Sequence, residues 1–499
     1  MRTVQLWHFL SVAGFALLSA CGGGGGGPAS SGLDGGTLTP RTTPLNAEEA
    51  RYFVQRTCFG GEAQVQELLR DGLEATLDRW LAMPEDPVLE AQALLQIENP
   101  EEPRTDELAR WWLWLQLRSR NPLQESLAFF WHDHFATSQL VLRKGALRFF
   151  RDHVGMLRRF AAGNLRDFLH AITVDPAMLV WLNGVDSTKQ LPNENFAREF
   201  WEVFSLGRDN GYTQRDVEEA ARAFTGYRLV EDSKTGRTFI VWDETRHDHG
   251  AKTILGETGD FGYREVVELT LQRGKVAEFV ARKLFSYYCH TEPSAEIVAE
   301  LARLLREHRY ELRPVLRTIL RAQAMFSPRA RQGLVKSPLE YVVGFMRATG
   351  FEAPMSEVYD TLLALGQVPT LPPSVFGWPE GRNWLGTQAV MARGDALHAA
   401  LVNRGQQETL GVSLYALLPE AGRRSAGEVV DALAARFSVR PTAAERAIYV
   451  DFLGHEATIE NGALKLVPSP FDAEVRRHVD ERVRGLVFLM TQHPSYHLR

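Results

Sequence analysis

Three cysteines in 499 residues are far too few to staple a chain of this size, so a disulfide framework is excluded as its organising principle. A basic surplus is also missing. Lys and Arg total 56 against 62 Asp and Glu, for a net charge of −6, which argues against a nucleic-acid partner. Beyond residue 20 no run stays apolar for the ~18 positions that a membrane-spanning helix needs. Several catalytic signatures are absent: a Gly-x-Ser-x-Gly elbow, a phosphate-binding Gly-Lys-Ser/Thr loop, a dinucleotide fingerprint opening a βαβ unit, and His-Glu-x-x-His. No familiar spacing therefore names a reaction. What is present is core material: 44% hydrophobic residues and 24% charged ones, typical of a globular body of one large or two to three ordinary domains.

The first twenty residues have the layout of an export signal. Arg2 gives a short positive start, Val12 to Leu18 is apolar apart from Gly14, and Ser19 and Ala20 are small. Leu18-Ser19-Ala20-Cys21 resembles a bacterial lipoprotein box, in which Cys21 receives the lipid. Residues 21–44 then form a Gly/Ser/Pro tether, which cannot pack a core. Gly22, where an aspartate would favour inner-membrane retention, implies the outer membrane in a Gram-negative host. The expectation is an exported protein held to the membrane through its lipid alone. Cys58 and Cys289 remain for the body, as an exported disulfide or as two silent core thiols.

From Asn46, a capping residue with Glu49 three positions on, apolar residues recur at helical spacing almost to the end. Leu108–Leu117, Leu123–Phe135, Val276–Tyr288 and Ile297–Leu305 are examples. Residues 45–499 are thus expected to be a mainly α, multi-helix body. One β-hairpin insert interrupts it at about 227–263, where Tyr227–Val230 and Thr238–Trp242 are β-branched and aromatic around Lys234-Thr235-Gly236. Pro369 to Gly386, rich in Pro, Gly and Trp, reads as a long irregular loop.

One stretch mixes charge and bulk unusually. On a helix turning ~100° per residue, Phe196, Ala197, Phe200, Trp201, Val203 and Phe204 share a broad apolar face. Glu194, Asn195, Arg198, Glu199 and Glu202 gather opposite, within roughly 140°. Glu194–Arg198 and Arg198–Glu202 are also i,i+4 ion pairs, worth ~0.3 kcal/mol each if exposed. Periodicity alone makes this a solvated face.

The words around it change that reading. "PNENFAREFWEVFSLG" followed by "YTQRDVEEAARAFTGY" resembles the central signature of a bacterial family called domain of unknown function 1800. "ARYFVQRTCFG", "FFWHDHFATS", "DPAMLVWLNG", "HDHGAKTILGETGDF", "VARKLFSYYC", "LVKSPLEYVVG", "LPPSVFGWPEGRNWL" and "LMTQHPSYHLR" complete the resemblance over about residues 48–499. An Arg-Glu-Leu-Met-type helix is usual where this chain has Arg198-Glu199-Phe200-Trp201; the change touches only the apolar side. The resemblance implies an exported bacterial protein. It also implies a neighbour from a sulfatase-like exported family, domain of unknown function 1501, as a partner. It implies no reaction. It does favour an inward polar face, with Arg198 paired to a carboxylate, the Asn195 amide bonded, and the helix turned towards His132 or His134 and His247 or Asp248.

Two histidine pairs supply candidates. In His132-Asp133-His134, at the end of an aromatic helix, i and i+2 lie ~200° apart, so both rings cannot easily serve one metal. His134 falls on the side of Leu127, Phe130 and Trp131 and should point inward; a core histidine and a catalytic or ligand role both fit. His247-Asp248-His249-Gly250, followed by Lys252, lies in a loop beyond the hairpin, as a solvated turn or a binding element. The candidate polar site is therefore His132, His134, Glu194, Asn195, Arg198, Glu199, His247, Asp248 and Lys252. Of these, His132, His134, Glu194, Glu199, His247 and Asp248 have the donors for a divalent metal, though no tight ligand spacing supports one. Eleven tryptophans fit a core better than a glycan platform. The working reading is an envelope-anchored binding or assembly protein. The alternative is an envelope hydrolase, metal-dependent or not, built on the His/Glu/Asp cluster; an enzyme should gather those groups around a concavity.

Overall fold

The computed structural model describes residues 35–142, 145–402, 414–460 and 463–499. The expected signal segment, Cys21 and most of the expected tether lie outside the described residues. The fold is mainly helical, 61%, with three small two-stranded antiparallel sheets. Among the described residues, no helix is long and apolar enough to cross a membrane.

The helices begin where the sequence marks them. Asn46 caps Ala47–Cys58 in a reciprocal box with Glu49, and Ser337 with Glu340 does the same for Pro338–Thr349. Buried rows on Thr105–Arg118, Pro122–His134, Lys275–Tyr288 and Pro338–Thr349 meet in one core, in which Trp112, Trp131 and Trp201 are fully buried. Removing so large a side chain from water stabilises the fold by about 3 kcal/mol each. Cys58 and Cys289 are buried free thiols in that core, both pushed up to about 12 by burial.

The strands need a correction. Tyr227–Glu231 pairs with Thr238–Trp242 as expected. The expected single hairpin is, however, three. Lys252–Ile254 pairs with Glu257–Gly259 through Leu255 and Gly256, both at positive φ, a two-residue turn whose twist suits a hairpin. The Leu255 N–H donates to Asp216, and its carbonyl accepts from Arg273, so the strained turn is held on both sides. His455–Glu460 pairs with Ala463–Pro468 near the end of the chain, where no strand was expected.

The polar stretch also departs from a plain α-helix. Glu194–Glu199 is α-helical, capped by Asn193, but Phe200–Ser205 is a π-helix. The widened turn buries Phe200, Trp201, Val203, Phe204 and Ser205 together, and the Trp201 indole N–H donates to Thr270 at 2.9 Å. Such turns are rare and recur at functional places.

Candidate active site

The end of helix Pro122–His134 presents three successive side chains to three different surroundings. His132 is buried among Trp112, Phe150 and Trp378, and its Nε2 accepts the Thr370 N–H at 3.2 Å. Burial, and then the neighbouring His153, hold it well below the usual imidazole range. It is a core group that pins one end of the 369–386 loop. Thr370, a β-branched residue at φ 88°, is an uncommon conformation fixed by this bond and by Gln139.

Asp133 holds the middle of the same loop. Its Oδ1 accepts the Trp378 N–H at 2.9 Å. The backbone comes so near that a Cβ on Gly377, at φ 78°, would sit 2.2 Å from that oxygen; only glycine fits. The remainder of Asp133 faces a cavity of ≈ 590 Å³. Burial pushes its carboxyl up to about 7 against the Trp378 N–H, which favours the ionised form.

His134 lies on the other side of the helix turn. Its Nε2–H donates to the Phe204 carbonyl at 3.0 Å, in the π-helical turn, which leaves Nδ1 to accept from the Lys283 ammonium at 2.9 Å. Burial, and then the Lys283 charge, hold the ring neutral. Lys283 belongs to a stripe on helix Lys275–Tyr288: Phe279, Lys283 and Tyr287, four residues apart, point the same way. The amine lies 5.4 Å from the centre of the Phe279 ring. Burial lowers its pKa, opposed by the charges of Asp133 and Glu380.

These groups share the ≈ 590 Å³ cavity with the aromatic rings of Phe129, Phe130, Tyr287, Trp378 and Trp384 and with polar groups that include Arg282, Glu340 and Glu380, so its lining is mixed. At its far side Arg499 pairs with Glu340 and lies 4.4 Å above the Tyr287 ring. Lys283 and Phe279 also border a second cavity of ≈ 350 Å³, reached by Glu202 and Arg208. A wider depression of ≈ 980 Å³ lies elsewhere, beside Trp80, but its Arg79 and Arg158 are held in ion pairs with Glu67, Asp71, Glu90 and Glu125.

The nine residues proposed from the sequence do not meet at one point. Asn195 is exposed, and Glu194 and Arg198 keep more than a third of their side chains in water, at 39% and 36%. Arg198 is paired, with Glu194 at 2.8 Å, but on the outside; the inward expectation fails for these three because the apolar side of the helix already fills the core. Glu199 alone is turned partly in. One of its carboxylate oxygens has no hydrogen-bond partner, and burial, then Glu202, raises its pKa. A ladder along helix Gln214–Ala223 links the wet face to the second histidine loop: Glu194–Gln214, Arg215 to Glu218 and Glu219, Arg222 to Glu219 and Asp248. His247 is buried and its Nδ1–H donates to the Thr225 carbonyl at 2.8 Å, while Lys252 donates to the Asp248 and Gly250 carbonyls.

Six residues were named as metal donors. Among the described residues, the one group of three or more His, Cys, Asp and Glu side chains placed to share an ion is His247, His249 and Asp260, and His247 is its only member from those six. Sequence reasoning passed over Asp133, Lys283, Glu380 and Arg499. A signal existed for Lys283, a single cation on an otherwise aromatic stripe; for Arg499 there was none.

No curated protein and no solved structure matches the chain. A family model described as "Protein of unknown function (DUF1800)" matches residues 52–498, a span that holds every group of this cavity except the terminal Arg499. The chain belongs to the DUF1800 family.

Proposed function

We propose that this protein is a hydrolase of the bacterial envelope, working in the Asp133–His134–Lys283 cavity. One observation carries the reading: an acid poised near neutrality and a desolvated amine face the same cavity. A carboxyl at about 7 is divided between its two forms at physiological pH, where a general base or acid is most effective. Asp133 takes a proton from water as the water oxygen adds to the substrate carbon. The negative charge then growing on the substrate oxygen meets the Lys283 ammonium, whose field is strong because little water screens it. As that charge returns to the carbon, the bond to the leaving group breaks, and the leaving group takes the proton from Asp133, which restores the carboxylate. His134 is a positioning residue: it holds Lys283 through Nδ1 and is itself fixed through Phe204. The rings of Phe129, Phe130, Trp378 and Trp384 on its lining suit a substrate with an apolar or ring-bearing portion.

Export and lipid attachment at Cys21 belong to the same proposal. They are supported by the Leu18-Ser19-Ala20-Cys21 box and the Gly-rich run after it. The rival reading is an anchored binding or assembly protein, working beside a sulfatase-like partner, which would hold a ligand in this cavity without turning it over.

The test compares the full wild-type chain with Asp133→Asn and Lys283→Met, each incubated with envelope fractions of the native host, with released molecules followed by mass spectrometry. Release by the wild type, lowered about 100-fold in both variants, is the expected result. Identical release by all three, or none from the wild type, leaves the binding reading in place.

A further inference from the structure

The loop after the first hairpin brings together a second group of donors, outside the cavity and unconnected with the proposed hydrolysis. His247, His249 and Asp260 each offer one ligand atom, all within 4.8 Å of one another. Two observations show that these atoms are prepared for a ligand.

The first concerns the rings. The His247 Nδ1–H is spent on the Thr225 carbonyl at 2.8 Å, so the lone pair sits on Nε2. His249 is fixed the opposite way: its Nε2 lies 2.8 Å from Glu244, which leaves Nδ1 facing Asp260 Oδ2 at 3.6 Å. Glu244 is itself held, since its other oxygen accepts the Trp242 indole N–H at 2.7 Å. A carboxylate behind a histidine, orienting the ring and raising its basicity, is the usual outer support of a metal ligand.

The second concerns charge. Lys252, fully buried as a side chain, takes Oδ1 of Asp260 at 3.3 Å and the carbonyls of Asp248 and Gly250. Its ammonium neutralises one carboxylate and leaves Oδ2 pointing at His249. With Glu244 counted, the local sum before any ion is one negative charge. A divalent cation is then favoured despite the nearby lysine.

We infer that His247, His249 and Asp260 form a site for a divalent transition-metal ion of the zinc type, with Glu244 as the group that orients His249. Two imidazoles and one carboxylate select such an ion over magnesium or calcium, which prefer oxygen donors. Tetrahedral coordination at ~2.0–2.2 Å needs donors about 3.4 Å apart, so the exposed His249 and Asp260 close inward by roughly an ångström. Three protein ligands leave a fourth position for water. The ion would fasten the 247–249 segment to the end of the second hairpin, and so close the insert over helix Gln214–Ala223.

The experiment uses the full chain in detergent, stripped with a chelator and titrated with Co²⁺ while its visible ligand-field bands are recorded, then with Zn²⁺ in competition. One equivalent of Co²⁺ bound with intense tetrahedral bands, displaced by Zn²⁺, is the expected result. His249→Ala, at an exposed ring, and Asp260→Asn, which keeps an oxygen for Lys252, should weaken binding at least ~30-fold, and Glu244→Gln about 10-fold. His308→Ala, a histidine exposed elsewhere, should change nothing. Equal binding by wild type and His249→Ala, or no binding tighter than about 1 mM, overturns the site. Either result leaves the cavity proposal untouched, because no residue is shared.

Discussion

Two buried clusters of ionisable groups flank helix Pro338–Thr349, and only one of them has room for a ligand. The first is the Asp133–Lys283 cavity. The second is a knot in which Lys336 lies 3.8 Å from the Tyr496 ring centre, Arg393 lies 5.0 Å from that of Tyr341, and His497 stacks on Tyr341. Their electrostatics look alike. Burial brings Lys336 down to about 7 and His497 to about 3, displacements as large as that of Asp133. Their surroundings do not. The knot borders a space of ≈ 40 Å³, against ≈ 590 Å³ beside Asp133. Perturbed ionisation records burial; a site also needs a concavity for the reacting molecule. Glu340 stands between the two, paired with Arg499 on the cavity side while its charge opposes the depression of Lys336 and Arg393.

The strongest way to break this contrast is to open the knot. Arg393 is fully buried and donates to the Lys336 carbonyl at 2.8 Å and to His497 at 3.3 Å. Arg393→Ala leaves a cavity and an unsatisfied carbonyl, at a cost of about 3 kcal/mol. The urea midpoint should fall accordingly, while envelope-product release per folded molecule stays unchanged. A loss of release as deep as that of Asp133→Asn would show the knot to be part of the site.

A subtler test uses pH, because the two groups brought near 7 have opposite signs. Asp133 has a raised folded pKa: the unfolded carboxyl ionises first, so the native state loses stability as pH climbs from ~4 to ~7. Asp133→Asn keeps an acceptor for Trp378 and escapes that loss. It should gain on the order of 2 kcal/mol at pH 8, allowing for the water that reaches the open side of Asp133, and almost nothing near pH 4. Lys336 has a lowered folded pKa: below ~7 the native state carries its full desolvation cost, which is relieved as pH rises from ~7 to ~10. Lys336→Met should therefore gain most at pH 6 and least at pH 10. Urea midpoints of both variants across that range check the pair. Parallel slopes would mean that one group is not buried as described.

How much of this was legible in the sequence follows from what kind of force sets each feature. The helices could be read because their apolar rows repeat at 3.6 residues and their caps are local. The first hairpin could be read from β-branched residues. The one at 455–468 carries Asn461-Gly462 between its strands, the strongest short hairpin signal, but its flanks are too polar to draw attention. The π-turn at Phe200–Ser205 has no sequence mark, since its Phe204 packs against His134 and Phe135, far away in the chain. The cavity was hidden for a related reason. Phe279, Lys283 and Tyr287 read as a core stripe, and nothing local says that the loop at Trp378 stops short of filling the space beside Asp133. His134 was placed inward correctly; its partner, 149 residues away, could not be.

The smallest effect belongs to the stretch that looked most like a site. Glu194 and Arg198 face water at 39% and 36%, 2.8 Å apart, with Gln214 donating to Glu194 at 3.0 Å and accepting from Arg198 at 2.9 Å. Exposed i,i+4 pairs gain little, because water screens the attraction and two long side chains lose freedom to hold it. Arg198→Ala should change stability by no more than about 0.5 kcal/mol. A double-mutant cycle with Glu194→Ala should return a coupling of about 0.3 kcal/mol that shrinks further in 1 M salt, where the Debye length is ~3 Å. Gln214 can retain a bond to whichever partner remains, which lowers the cost of each single change. A coupling above roughly 1.5 kcal/mol, insensitive to salt, would mean that the pair is shielded in solution and that this face is covered. The wet helix would then join Lys283 and Asp133 on the buried side of the comparison, through Glu202 and the smaller cavity that it shares with Lys283.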